Sequence, residues 1–200
     1  ILPGTYYSDA RDQGASQATL ARVRVPYSAG GGTGSVGALL SDRTYEDGSS
    51  NRTAAVDGQY KPNDDSRLRA QLSASQTDDR VLGSKGDGYA GYFDALYDNG
   101  VYHGWFGVAR ASPKFRSDNA IITQNGYDWG KFEAWRCGKY DGFFNNICPG
   151  VFGGATRASS GAALSRWITP QVYMNGARNS EWSVQPRWIN YSRIAEGGQW

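Results

Sequence analysis

The chain has 200 residues, with 21 Lys and Arg against 19 Asp and Glu, and a net charge of +2 gives no footing for a nucleic-acid binder. Leu, Ile, Val and Phe make up about 16% of it, below the roughly 20% at which disorder comes into view, but the high net charge of a disordered chain is missing. Gly at 27 residues and aromatics at 14% indicate Gly-rich β structure, and with no run of ~18 apolar residues and no 3.6-residue period, any membrane contact falls to strands.

From Thr19 to Tyr27, the residues Thr19, Ala21, Val23, Val25 and Tyr27 alternate with Leu20, Arg22, Arg24 and Pro26, the period of a strand with unlike faces. Ser28 to Gly34 reads as a turn, after which Val36, Ala38 and Leu40 alternate with smaller or polar residues. The pattern returns at Thr53–Lys61 and at Arg67–Ser75, joined by the tight Pro62-Asn63-Asp64-Asp65. Tyr89–Tyr97 leads through Asp98-Asn99-Gly100, a hairpin signal, into a strand from Val101 to Arg110. Less regular strands follow at about 127–137, from near Cys148, at 163–173 and at 181–191, giving about ten.

Connections alternate between short (28–34, 62–65, 98–100, 138–142) and long (44–51, 76–87, 111–126). Together with strands of about ten residues, this predicts an all-β, antiparallel transmembrane β-barrel, or part of a larger one, rather than a soluble β-sandwich. Tyr27, Tyr60, Tyr89 and Tyr97 near strand ends suit an aromatic girdle. Val23, Val25, Val36, Leu40, Val56, Leu68, Leu72, Phe93, Phe106 and Val108 are expected to face lipid. The charges of the other face, Arg22, Arg24, Asp57, Lys61, Arg67, Arg69, Asp94, Lys131 and Glu133, are the candidate lumen-facing residues.

Several segments resemble the β-barrel domain of unknown function found in large outer-membrane proteins of Gram-negative bacteria, where it usually follows a family-9 carbohydrate-binding-like domain. They are Ile1-Leu2-Pro3-Gly4, Ala21-Arg22-Val23-Arg24, Ser35-Val36-Gly37-Ala38-Leu39, Asn51 to Gly58 and, most closely, Phe115-Arg116-Ser117-Asp118-Asn119 through Gly126-Tyr127. The resemblance spans residues 1 to about 136 and implies the early-to-middle part of a larger barrel in a bacterial outer membrane. It brings no catalytic residues, and the cysteine pair is outside its pattern. The start at Ile1 and the end at Gly197-Gly198-Gln199-Trp200 read as a processed or partial chain, so residues 1–200 are taken as one barrel domain or a fragment of one.

One His and two Cys within no recognisable motif leave little for an enzyme, and no cofactor or metal is expected. Gly30-Gly31-Gly32-Thr33-Gly34 lacks the Lys-Ser/Thr and helix of a phosphate loop and reads as a turn; Asp64/Asp65 and Asp78/Asp79 read as solvated loop carboxylates rather than Ca²⁺ ligands. The expected function is a pore or surface receptor for a polar solute or a glycan, with outer-membrane lipid as partner and, for a fragment, further barrel strands or envelope proteins. The alternative is a soluble β-sandwich glycan-binding module using Trp105, Trp129, Trp135, Trp167, Trp182 and Trp188; membrane anchoring or barrel packing is the simpler reading of these rings. Cys137 and Cys148 are read as a disulfide formed in an oxidising compartment, against two buried free thiols. The bridge is expected to pin the neck of a ten-residue loop, one strand ending at Cys137 and the next beginning at Cys148.

Overall fold

A computed structural model describes residues 15–119 and 125–191. They form one antiparallel sheet whose strands follow chain order: β1 (Ser16–Ala29), β2 (Gly32–Tyr45), β3 (Ser50–Asn63), β4 (Ser66–Asp79), β5 (Ser84–Asp98), β6 (Tyr102–Ala111) and β7 (Tyr127–Arg136), then β9 (Phe144–Ala158) and β10 (Ala163–Gly176). The two-residue β8 (Gly138–Lys139) extends the β7 side of the β7–β9 hairpin, and a single 3-10 turn (Ala177–Asn179) follows β10. β11 (Glu181–Val184) and β12 (Trp188–Tyr191) pair with β10 in one continuous register. They are therefore the strand expected over 181–191, its ladder interrupted around Pro186, which has no N–H to give. So counted, the strands number ten, as the periodicity predicts. No described helix is long and apolar enough to cross a membrane.

The sheet is open: among the described residues β1 pairs only with β2, and β11 and β12 only with β10. Among the described residues it is one sheet, with no second sheet over its apolar face, unlike the two packed sheets of the sandwich alternative.

Three local expectations are corrected. Strands β2 to β5 run to 14 or 15 residues, so the loops expected at 44–51 and 76–87 shrink to 46–49 and 80–83, while 112–126 stays long. The backbone ladder continues there although both faces have turned polar. The Gly-rich turn narrows to Gly30 and Gly31, both with positive φ, and Gly32–Gly34 already belong to β2. Cys137 and Cys148 are bridged, but the hairpin continues past them, Gly138 pairing with Ile147 and Lys139 with Asn146. The turn is centred one residue later than Asp141-Gly142, which puts the two cysteines directly opposite each other, Cα atoms 4.1 Å apart.

Polarity is inverted relative to a water-soluble sheet. One face carries all ten residues expected to meet lipid, every one exposed. On β2 and β3 the apolar band runs from Gly34 to Leu40 and from Ala54 to Tyr60, seven residues or about 24 Å along each strand. The Arg52–Asp42 pair at 3.1 Å closes it on one side, and Tyr27 and Tyr60, stacked at 6.2 Å, on the other. The ladder row Val23, Ala38, Val56, Leu72, Gly91 continues into Arg110, Asp128 and Arg157, where Asp128 pairs with both arginines. A level belt can stay apolar across such a row only if the strands are inclined to it, as barrel strands are. On the later strands the band accordingly lies nearer the short turns, reaching Tyr97, Tyr102 and Arg136.

Candidate functional site

Strand alternation puts Arg22, Arg24, Asp57, Lys61, Arg67, Arg69, Asp94, Lys131 and Glu133 together on the opposite, polar face. Arg22 reaches over β2 to Asp57, its Nη2 donating to both carboxylate oxygens at 3.0 and 2.9 Å. Gly37 makes the crossing possible, because a Cβ there would sit 2.9 Å from Asp57 Oδ2. Arg69 Nε donates to both oxygens of the fully buried Asp94 at 3.1 and 3.0 Å, and the Tyr92 hydroxyl donates to the same carboxylate. Arg24 Nε donates to Ser35 Oγ at 2.8 Å. Lys131 lies over the Trp129 ring at 4.8 Å, and His103 bridges Asp98 and Glu133 at 3.0 and 3.1 Å while stacked on Trp135. Among the described residues Lys61 and Arg67 have no carboxylate partner.

The tryptophans divide by face. Trp105, Trp129, Trp135 and Trp167 belong to the polar face, where Tyr92 meets Trp129 and Phe152 meets Trp167 at 6.0 and 5.7 Å. Trp182 and Trp188 project from the apolar face.

The largest structure on the polar face comes from the β6–β7 loop. Although it joins those strands, its described part folds across β2 to β5 at their long-loop ends, beyond the apolar band. Phe115 is 2% exposed and lies against Gly88, where a Cβ would come within 2.3 Å of the Phe115 backbone. Arg116 N–H donates to Ser75 Oγ at 3.1 Å, and its guanidinium donates to Asp79 at 3.0 Å and to Asp118. Asp118, fully buried, accepts from the Tyr45 hydroxyl at 2.7 Å, and its N–H donates to Asn51 Oδ1 at 3.0 Å. Asn51 Nδ2 in turn donates to the Arg116 carbonyl at 3.0 Å, and Asn119 Nδ2 donates to Ser41 Oγ at 2.8 Å. Small side chains beneath, Ser41, Thr53, Ser73 and Ser75, leave the loop its room.

Burial works against the Arg116 charge, but the hydrogen bond and charge of Asp118 outweigh it and raise its pKa. Burial, then the Asp118 hydrogen bond, push the Tyr45 hydroxyl up to about 12. Asp79, expected to be solvated, is 1% exposed and anchors the loop, while its neighbour Asp78 pairs with Lys85 at 2.8 Å. No group of three or more metal-ligating side chains forms among the described residues. Of the segments carrying the family resemblance, Ile1-Leu2-Pro3-Gly4 and 120–124 lie outside the described residues; Phe115–Asn119 is the segment that latches.

No family model matches the chain, and no curated protein matches it, so that resemblance stands on its motifs alone. Among solved structures, the crystal structure of the beta domain of the Bordetella autotransporter Brka is similar at 16% identity over 88% of each chain, with a TM-score of 0.25.

Proposed function

We propose that the chain is all or part of an outer-membrane β-barrel of a Gram-negative bacterium, its apolar face toward lipid and its polar face lining an interior that passes or captures a polar solute without catalysis. The observation that carries this is the inversion of polarity: Val56, Leu72 and Leu40 are 56%, 65% and 62% exposed while Asp79, Asp94 and Asp118 are buried on the other side. Water would reverse that arrangement, whereas a bilayer rewards it. The band of about 24 Å compares with the ~25 Å apolar height of such barrels, and its step along the strands fits their tilt. The strands extend past it at the long-loop end.

Bare backbone edges do not persist in lipid, so β1 and the last strand must be paired there. With ten strands these edges run antiparallel, and they close on each other or through an even number of further strands. The Cys137–Cys148 bridge at the short-turn end supports an orientation with that end in the oxidising periplasm.

Membrane fractionation of the full chain expressed with an envelope signal tests the reading. It should sediment with outer membranes and need detergent to stay monodisperse; a soluble, monodisperse, detergent-free chain refutes it.

A further inference from the structure

We infer that Lys61 and Arg67 form a binding site for an oxyanion on the polar face. Lys61 on β3 and Arg67 on β4 stand side by side next to the Tyr60–Leu68 pair, where a register shift opens the ladder toward Asn63–Ser66. Like charges in neighbouring cross-strand positions repel. Arg67 Nε is, in addition, buried with no acceptor. A buried guanidinium N–H is rarely left so, and when it is, a missing ion or water is among the first explanations.

The strand carboxylates of this region are already engaged, and Asp64 and Asp65 of the β3–β4 turn form no ion pair with Lys61 or Arg67 among the described residues. Asp57 is held by Arg22 and Asp94 by Arg69 and Tyr92, although the Asp94 charge reaches Arg67. Arg24, farther along the same face on β1, donates to Ser35 Oγ and borders a shallow depression with Thr33, Ser35 and Gln59. A planar fork of donors beside a compact ammonium is the pair that phosphate, sulfate and carboxylate groups take. The site lies on the face away from the apolar band, which assigns it to an anionic group on a soluble solute and not to a lipid headgroup. That this solute is the one passed or captured rests on the barrel reading; the site itself does not.

The test titrates inorganic phosphate into the full chain in detergent micelles, read by calorimetry and by the ¹⁵Nε resonances of arginine. Saturable binding that moves the Arg67 Nε signal is expected. Lys61→Gln and Arg67→Gln should each weaken it about 10- to 100-fold, as loss of a charged hydrogen-bond partner does. Arg136→Gln, which alters a cation of the apolar face beside Tyr102, should leave it unchanged. Lys61 is exposed, so its variant keeps the test valid should the Arg67 change disturb folding. Absence of saturable binding, or equal binding by Lys61→Gln, overturns the site. Displacement of phosphate by added phosphatidylglycerol overturns the assignment to a soluble solute. The barrel reading fails separately, on detergent-free solubility.

Discussion

Replacing Val56 by Arg separates a lipid-facing sheet from a water-facing one. Val56 is 56% exposed in the middle of the β3 band, between Ala38 and Leu72 on its neighbours. In water, an exposed position tolerates such a change within about 0.5 kcal/mol. In a bilayer, Arg near the midplane costs roughly 2–4 kcal/mol and near the interface ~0–1. Arg52 already sits on this face just beyond Ala54. Ala54→Arg should therefore cost little and Val56→Arg the full amount, a factor of about 30 to 1,000 in the folding equilibrium. The polar-face control follows from the register: Gln59 lies beside Ser35 and Arg69, where a second cation meets repulsion, whereas Gln71 lies opposite Asp57 and accepts one. Denaturant titrations into lipid vesicles, followed by the fluorescence of the 7 tryptophans, give the three values. Equal losses at Val56 and Gln71, or no gradient between Ala54 and Val56, would refute the assignment of faces.

Arg116→Ala leaves the carboxylates of Asp79 and Asp118 without their shared cation, a loss of about 3–5 kcal/mol were the loop to stay in place. The loop should lift instead, and amides 115–119 should lose hydrogen-exchange protection about 100-fold or more while the strands keep theirs; unchanged protection sinks the latch. The Tyr45 phenol, with its pKa raised to about 12, contributes stability that is fully present below its ordinary pKa near 10 and lost as pH rises through about 12. Ultraviolet titration of Tyr45→Phe should accordingly match the parent below about pH 11, and a smaller absorbance change in the variant would contradict the buried donor. Thiol labelling under denaturing, non-reducing conditions should find neither Cys137 nor Cys148 free. Reducing that bridge should cost at most ~3 kcal/mol, because so short a loop loses little entropy on closure.

Alternation made the strands and their faces legible. Val36, Ala38 and Leu40 against Ser35, Gly37 and Ser41 need no tertiary knowledge to be sorted, and the same rule carried Arg22, Asp57 and Arg69 to one side. Strand ends were illegible for a related reason. Past Leu40 and before Ala54 both faces are polar, so the periodic signal fades while backbone hydrogen bonds run on to Tyr45 and Ser50. The same parity already set Trp105 opposite Phe106, and it is what divides the six tryptophans between the membrane anchoring and the barrel packing expected of them. The latch lay beyond local reading altogether, since Asp118 finds Tyr45 and Asn51 at separations of 73 and 67 residues. One trace of it was in the sequence: the polar face bears long Lys, Arg and Gln side chains toward the short turns but Ser41, Thr53, Ser73 and Ser75 farther along, and small residues in register leave a space that something must fill.

That division of the polar face has a functional consequence. At the long-loop end, the Arg116 charge is held by Asp79 and Asp118 within a buried network. Toward the short turns, Arg24, Lys61 and Arg67 form no ion pair with a carboxylate among the described residues, although the Asp94 charge reaches Arg67. Low dielectric walls focus such a field, which raises the local concentration of anions and falls with ionic strength. On the barrel reading proposed above, two elements set apart along the strands would divide the work of selection. The latched loop would limit what fits, through a network whose rigidity comes from buried pairing, and Lys61 and Arg67, which form no ion pair among the described residues, would discriminate by charge.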